Sequence, residues 1–107
     1  MRPLSEILTD LIGFTELTIT RPAKHYGFAV DQSFTDLAAE VRRADALPAE
    51  GVRTTRAALV TVILLEEFFA SDRDATSRLL MLAGAALPWL RCEVWIAHRN
   101  EKEARGS

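Results

Sequence analysis

The sequence is poor in the residues that form disulfides and metal sites. It contains one cysteine, Cys92, and two histidines, His25 and His98. A single cysteine cannot form a disulfide within the chain, so a reducing, cytoplasmic environment is the simplest expectation. The histidines lie far apart, and neither has a cysteine or carboxylate at metal-ligand spacing. We therefore predict that the protein holds no metal and no other cofactor.

Positive charge is scarce as well. The 13 Lys and Arg residues are outnumbered by 15 Asp and Glu residues, which gives a formal net charge of -2. A nucleic-acid-binding surface needs a clustered basic excess, which this chain lacks. The longest uncharged run, residues 79–90, is shorter than the roughly 20 residues that a bilayer requires. We expect neither nucleic acid nor a membrane span.

Catalytic signatures are also missing. The sequence has no glycine-rich phosphate loop, and no serine lies in the glycine-flanked turn of a hydrolase nucleophile. The adjacent carboxylates Glu66 and Glu67 would suit acid–base chemistry if burial separated their pKa values. Neighbouring residues of a helix do not face each other, however. The sequence favours a protein without catalytic activity and leaves an enzyme open.

The chain does contain the pattern of apolar helices. Apolar residues make up 49% of it and charged residues 26%, a balance typical of one folded domain. Residues 57–65 and 79–90 are apolar around most of a helical circumference. Helices of this kind are covered on several sides, either by their own chain or by a partner.

The N-terminal half predicts two amphipathic helices joined by extended chain. Apolar residues at helical spacing predict a first helix over residues 3–12, with Gly13 as its stop. Residues 16–20 alternate polar and apolar side chains, which is typical of an extended segment. A loop with aromatic residues follows over residues 24–32. A capping-box-like start at Ser33 predicts the second helix.

The C-terminal half predicts the most apolar helices. Thr54 or Thr55 caps a third helix that runs to about residue 70 and is expected to be the central one. Pro88 is expected to break or kink the fourth helix, so that residues 89–100 form a further segment at a new angle. The whole pattern predicts an all-α fold, a compact bundle of four to five helices with a long extended connection after helix 1. Residues 1–100 make up the single domain, and residues 101–107 a charged, frayed tail.

Tryptophan and small residues point to a partner surface. Trp89 and Trp95 lie on roughly opposite sides of a helix, so we expect one in the core and one exposed. Tryptophan is enriched where interfaces carry most of their binding energy. The small residues around Gly84 would let another helix approach closely, from this chain or from a second one. We predict a non-enzymatic protein–protein interaction module, an adaptor, whose surface comprises Trp89, Leu90, Arg91, Val94, Trp95, Ile96 and Arg99.

Two other functions stay open. One is a small-ligand or enzymatic site between the third and fourth helices. The other is a structural homo-oligomer, in which the apolar faces meet their own copies. The ligand site would use Glu66, Glu67, His25, Tyr26 and Arg78.

The order of motifs also resembles a known family. An Asp-x-Ser-Phe turn, an apolar helix ending in Leu-Glu-Glu and an Ala-rich helix closing on Trp-Leu follow one another. The matching residues are Asp31-Gln32-Ser33-Phe34, Leu37-Ala38, Ala57-Ala58-Leu59, Leu64-Leu65-Glu66-Glu67, Ala83, Ala86 and Trp89-Leu90. This arrangement resembles the C-terminal helical module of proteins that combine a vault/inter-alpha-trypsin domain with a von Willebrand A domain, and the related region of the vault poly-ADP-ribose polymerase.

The chain departs from that family at two places. The family usually has Gly where Gln32 stands, and an aromatic residue early in the fourth helix where this chain has Thr76-Ser77-Arg78. The resemblance implies a non-catalytic module that docks a larger assembly through its helices.

Overall fold

Four α-helices account for nearly all of the described chain. The computed structural model describes residues 2–20, 28–46, 55–70 and 76–106. They form α1 (Leu4–Thr20), α2 (Phe28–Ala46), α3 (Arg56–Ala70) and α4 (Thr76–Gly106). These ranges contain no strand. The predicted all-α helical bundle is confirmed, with four helices in the described part.

Helix α1 is longer than the sequence predicted. It passes through Gly13 and includes residues 16–20, which were expected to be extended. Buried Thr15 and Thr18 continue the inner face of the helix, and each hydroxyl donates to the carbonyl four residues earlier, at 2.7 and 2.8 Å. Because these hydroxyls are satisfied within the helix, they can be buried at little cost. The predicted long extended connection therefore does not begin before Thr20, and residues 21–27 lie outside the described part.

Helix α2 begins earlier than predicted, and α3 begins and ends where it was predicted. The predicted capping residue Ser33 lies inside α2, which starts at Phe28. Gln32 donates to Asp36 one turn later at 3.0 Å, a pair that helical geometry brings together. Thr55 precedes α3, and its backbone carbonyl accepts a hydrogen bond from Leu59 N–H at 2.9 Å.

Helix α4 is continuous where a break was predicted. It runs through Pro88 and reaches Gly106, so residues 101–106 are helical and not a frayed tail. Pro88 cannot donate to the carbonyl of Gly84, the residue one turn earlier. Packing of the flanking turns against α1 and α3 stabilises the helix on both sides of that missing bond.

The helices alternate in direction. Ser5 bonds to Glu101 and Glu16 pairs with Arg91, which makes α1 antiparallel to α4. Contacts of Phe14 with Phe34, and of Phe34 with Phe69, join α1 to α2 and α2 to α3 at the opposite end from the Ser5–Glu101 bond. Within the described residues α4 packs most extensively, against α1 and against α3, whereas α1 and α3 contact each other and α2 less. The prediction that α3 is the central helix is therefore wrong, because α4 has the larger share of the contacts.

The core lies between the inner faces of the four helices. Phe14, Phe34 and Phe69 form an aromatic cluster, with ring centroids 5.3 to 6.1 Å apart. Gly84 packs against α1 within the monomer, because a side chain added there would meet Ile19 Cδ1 at 3.5 Å. Of its small neighbours, Ala83 and Ala86 are buried and Ala85 is exposed. Among the described residues, the largest fully buried aliphatic side chains are Ile7, Leu8, Leu11, Val41, Val62, Leu65 and Leu90.

Candidate interaction surface on α4

Helix α4 has an apolar outer face in addition to its buried inner face. The inner face includes Leu79, Ala83, Ala86, Leu90 and Ala97, which are all buried. Four large apolar side chains project to the other side and are 44 to 68% exposed. With smaller neighbours they form what we term the outer face: Met81, Leu82, Ala85, Pro88, Trp89, Cys92, Trp95 and Ile96.

The structure places most of the predicted surface residues outward. Trp89 is 47% and Trp95 62% exposed, so neither tryptophan is the core residue that we expected. Leu90 is fully buried and belongs to the core, so it cannot form part of a surface. Val94 is half-buried and packs against the core, so its assignment to the surface was also wrong. Ile96 is half-buried, and Arg91 and Arg99 are exposed.

Sequence reasoning missed five members of the outer face. Met81, Leu82, Ala85, Pro88 and Cys92 are exposed on the same side of α4 as the two tryptophans. The signal was their helical spacing, because positions 81, 85, 88, 92 and 95 alternate steps of four and three. It was overlooked because a predicted break at Pro88 separates the two halves of that pattern.

Basic side chains border the outer face. Arg91 lies 3.5 Å from Glu16 of α1, and the Arg99 guanidinium lies 5.1 Å from the centre of the Trp95 ring. Arg78 and Lys102 are exposed towards the two ends. A hollow at the C-terminal end is lined by Trp95, His98, Arg99, Lys102 and Arg105.

Two of the three carboxylates of α4, those of Glu93 and Glu101, point inward, whereas Glu103 is exposed. Glu93 is 5% exposed, and its Oε2 accepts a hydrogen bond from Ala57 N–H at 3.0 Å, at the start of α3. Glu101 accepts hydrogen bonds from the backbone N–H and the hydroxyl of Ser5 at 3.0 and 2.6 Å. Both carboxylates thus cap the N-terminal ends of other helices, where backbone N–H groups are unpaired and the helix dipole is positive.

Glu93 has the environment of a candidate functional residue, and the sequence analysis did not select it. Its Oε1 is buried and has no hydrogen-bond partner among the residues that the structure describes. Burial raises the pKa of Glu93 above its usual 4.5, while the N–H groups of Ala57, Ala58 and Arg56 lower it. Its position in the sequence, three residues after Leu90 and four before Ala97, indicates that it lies on the inner face of the helix with them.

The alternative ligand site is not assembled between α3 and α4. Glu66 faces α2, where both of its oxygens accept hydrogen bonds from Arg42. This bonding holds the pKa of Glu66 below its usual range, opposite to what acid catalysis at neutral pH requires. Glu67 is exposed on α3 and Arg78 on α4. His25 and Tyr26 lie outside the described residues.

The open cleft nearest to Glu66 lies between α2 and α3. It is lined by Phe34, Thr35, Ala38, Ala39, Arg42, Glu66, Phe69 and Ala70. Its two charged groups neutralise each other across the cleft. Within the described ranges, no three His, Cys, Asp or Glu side chains are close enough to hold a metal ion together. Cys92 is an exposed free thiol.

Helix α4 also has the length and composition of a membrane span, which the short uncharged runs did not suggest. It is the one such helix among the described residues, and the apolar stretch lies within Arg78–Gly106. The most apolar window of this stretch has a mean hydropathy of 1.4, and 22% of the window is buried. Length and composition do not separate a membrane span from a core helix of a bundle. The low buried share shows that much of this apolar surface faces away from the protein.

Compared with protein-family models, with curated proteins and with solved structures, the chain matches none of them. The resemblance to the vault-associated helical module therefore stays a prediction.

Proposed function

We propose that this protein is a non-enzymatic interaction module that binds another protein through the outer face of α4. The observation that carries the proposal is the exposure of Met81, Leu82, Trp89 and Trp95 on one side of one helix. Contiguous exposed apolar surface of this kind is typical of interaction sites. Tryptophan in particular supplies a large share of the binding energy in protein interfaces.

The rest of the molecule supports a role as a rigid platform. The inner face of α4 is fixed against α1 and α3 by buried side chains and by the capping bonds of Glu93 and Glu101. A helix held in this way presents its outer side chains without a large ordering cost on binding, which favours affinity. Docking of a larger assembly, as the family resemblance implies, is one use of such a platform.

The test compares substitutions on the outer face with a matched substitution elsewhere. A double variant, Trp89→Ser with Trp95→Ser, removes the two aromatic groups. Leu17→Ser, on the exposed side of α1 at 44% exposure, removes an apolar side chain outside the outer face. A partner recovered from cells is purified, and its dissociation constant is measured for the three chains by titration calorimetry.

We expect the double variant to bind at least about tenfold more weakly and Leu17→Ser to bind like the unmodified chain. Equal binding by all three chains would remove the outer face from the interface. Light scattering of the chain alone tests whether the surface instead joins two copies of the protein. A stable dimer at micromolar concentration, dissociated by the double variant, would assign the surface to a homo-oligomer.

A further inference from the structure

The outer face of α4 has the pattern of a helix-packing seam. Positions 81, 85, 88, 92 and 95 alternate steps of four and three residues, the spacing by which one helix lies along another. Larger side chains at Met81, Pro88 and Trp95 alternate with small ones at Ala85 and Cys92. Small residues between large ones create depressions that accept the side chains of a facing helix.

Basic residues lie at both ends of this seam. Continuing the same steps reaches Arg78 in one direction, and Arg99 and then Lys102 in the other. All three are exposed, and in the hollow at the C-terminal end Arg99 and Lys102 lie beside His98 and Arg105. Of the three carboxylates of α4, Glu93 and Glu101 are directed into the bundle, whereas Glu103 is exposed beyond Lys102, past the C-terminal end of the seam. Between residues 78 and 102 the exposed charged side chains of α4 are therefore all basic.

This charge pattern disfavours a second copy of the chain as the occupant. Antiparallel pairing of the apolar stretch 81–96 with itself places Arg78 of one copy opposite Arg99 of the other. Parallel pairing places each arginine opposite its own equivalent. Either arrangement opposes like charges at both ends of the seam, which is a common way to exclude self-association.

From these observations, and resting on the proposed function, we propose that the partner element is an amphipathic helix with an apolar stripe and acidic residues at its ends. Arg78 and Arg99 are 21 positions apart, so the helix needs about six turns, or about 31 Å, to reach both. Its carboxylates would pair with Arg78 at one end and with Arg99 and Lys102 at the other. The apolar stripe would cover Met81, Trp95 and the residues between them.

Two synthetic peptides of about four heptads test the charge requirement. Both carry Leu at the seam positions; one has Glu and the other Lys at the flanking and terminal positions. Their affinities for the full chain are measured by fluorescence anisotropy, at low and at high salt. We expect the Glu peptide to bind at least about tenfold more tightly, with the preference shrinking at high salt.

Charge-reversed chains show where the preference arises. Arg99→Glu with Lys102→Glu is expected to invert the preference, whereas Arg43→Glu on α2 is expected to preserve it. Alkylation of the single thiol locates the bound peptide. Binding is expected to slow alkylation of Cys92, but not that of a thiol placed on α2 by Ser33→Cys in a Cys92→Ser chain.

Each other outcome contradicts a defined part of the proposal. Equal affinity for the two peptides would overturn the acidic partner and leave the interaction module standing. Binding of the purified partner without binding of either peptide would overturn a helical partner element. Binding to phosphatidylserine vesicles with protection of Cys92, and to neither peptide nor partner, would assign the outer face to a membrane surface and overturn both proposals.

Discussion

Two opposing effects act on the ionisation of the Glu93 carboxylate. The start of α3 offers it N–H donors and a positive dipole, which favour the charged form. Its burial at 5% exposure and the unpartnered Oε1 favour the neutral form. Burial is the larger effect, since the pKa of Glu93 is raised above its usual value. Ionising Glu93 in the folded protein therefore costs more free energy than ionising an exposed glutamate.

That cost predicts a pH dependence of stability. Because the folded-state pKa lies above the unfolded value of 4.5, folding is linked to proton uptake by Glu93. Its contribution is complete below about pH 4.5 and is lost as the pH rises through the raised pKa. The variant Glu93→Gln keeps an acceptor for Ala57 N–H but does not titrate. We expect its free energy of unfolding to rise relative to that of the unmodified chain as the pH increases from 4.5 to 7.

Urea unfolding at a series of pH values measures this difference. Glu67→Gln, a matched change at an exposed glutamate of α3, is expected to show no comparable trend. A difference between Glu93→Gln and the unmodified chain that is constant across the range would mean that Glu93 is not desolvated in the folded protein.

At the scale of elements, α1 shows why helix ends are hard to locate from sequence. Gly13 was predicted as a stop because glycine is a poor residue inside a helix. It is nevertheless exposed in the middle of α1, and nothing lies within 4 Å of a Cβ added there. Core contacts of Leu11 and Thr15 on either side, together with the Glu101 cap on Ser5, outweigh the local preference.

A substitution at Gly13 tests the continuity of α1. We expect Gly13→Ala to raise the free energy of unfolding by about 0.5–1 kcal/mol, because alanine loses less backbone entropy in a helix and meets no neighbour. Ala39→Gly, at an exposed position inside α2, is expected to lower it by a similar amount. Thermal unfolding followed by circular dichroism measures both. A destabilising Gly13→Ala would indicate a helix that ends at Gly13.

The fold class followed from the sequence more readily than the site did. Helical spacing and apolar content predicted the all-α bundle and the bounds of α3. The inward direction of Leu90 and Glu93 depends on an unbroken α4, because a break at Pro88 removes the angular relation between these residues and Ala83 or Ala86. The sequence alone does not show that contacts with α1 and α3 offset the cost of a proline inside the helix.

At the scale of the whole molecule, the two sides of α4 differ in what they contribute to stability. The inner face holds the bundle together, and the outer face contributes little to the isolated chain because its large side chains are exposed. Leu90 at 0% and Trp95 at 62% exposure represent the two sides. Removing Leu90 leaves a cavity among core residues, whereas removing Trp95 gives up a partly solvated ring and its contact with Arg99.

We therefore expect Leu90→Ala to lower the free energy of unfolding by about 2–5 kcal/mol, and Trp95→Ala by less than about 1 kcal/mol. Urea unfolding of the isolated chains gives both values, and the same Trp95→Ala protein is then assayed with the purified partner. Loss of binding with retained stability would locate Trp95 in the interface rather than in the fold. A cost for Trp95→Ala as large as that for Leu90→Ala would show that the outer face is part of the core, because only a buried side chain carries that much stability.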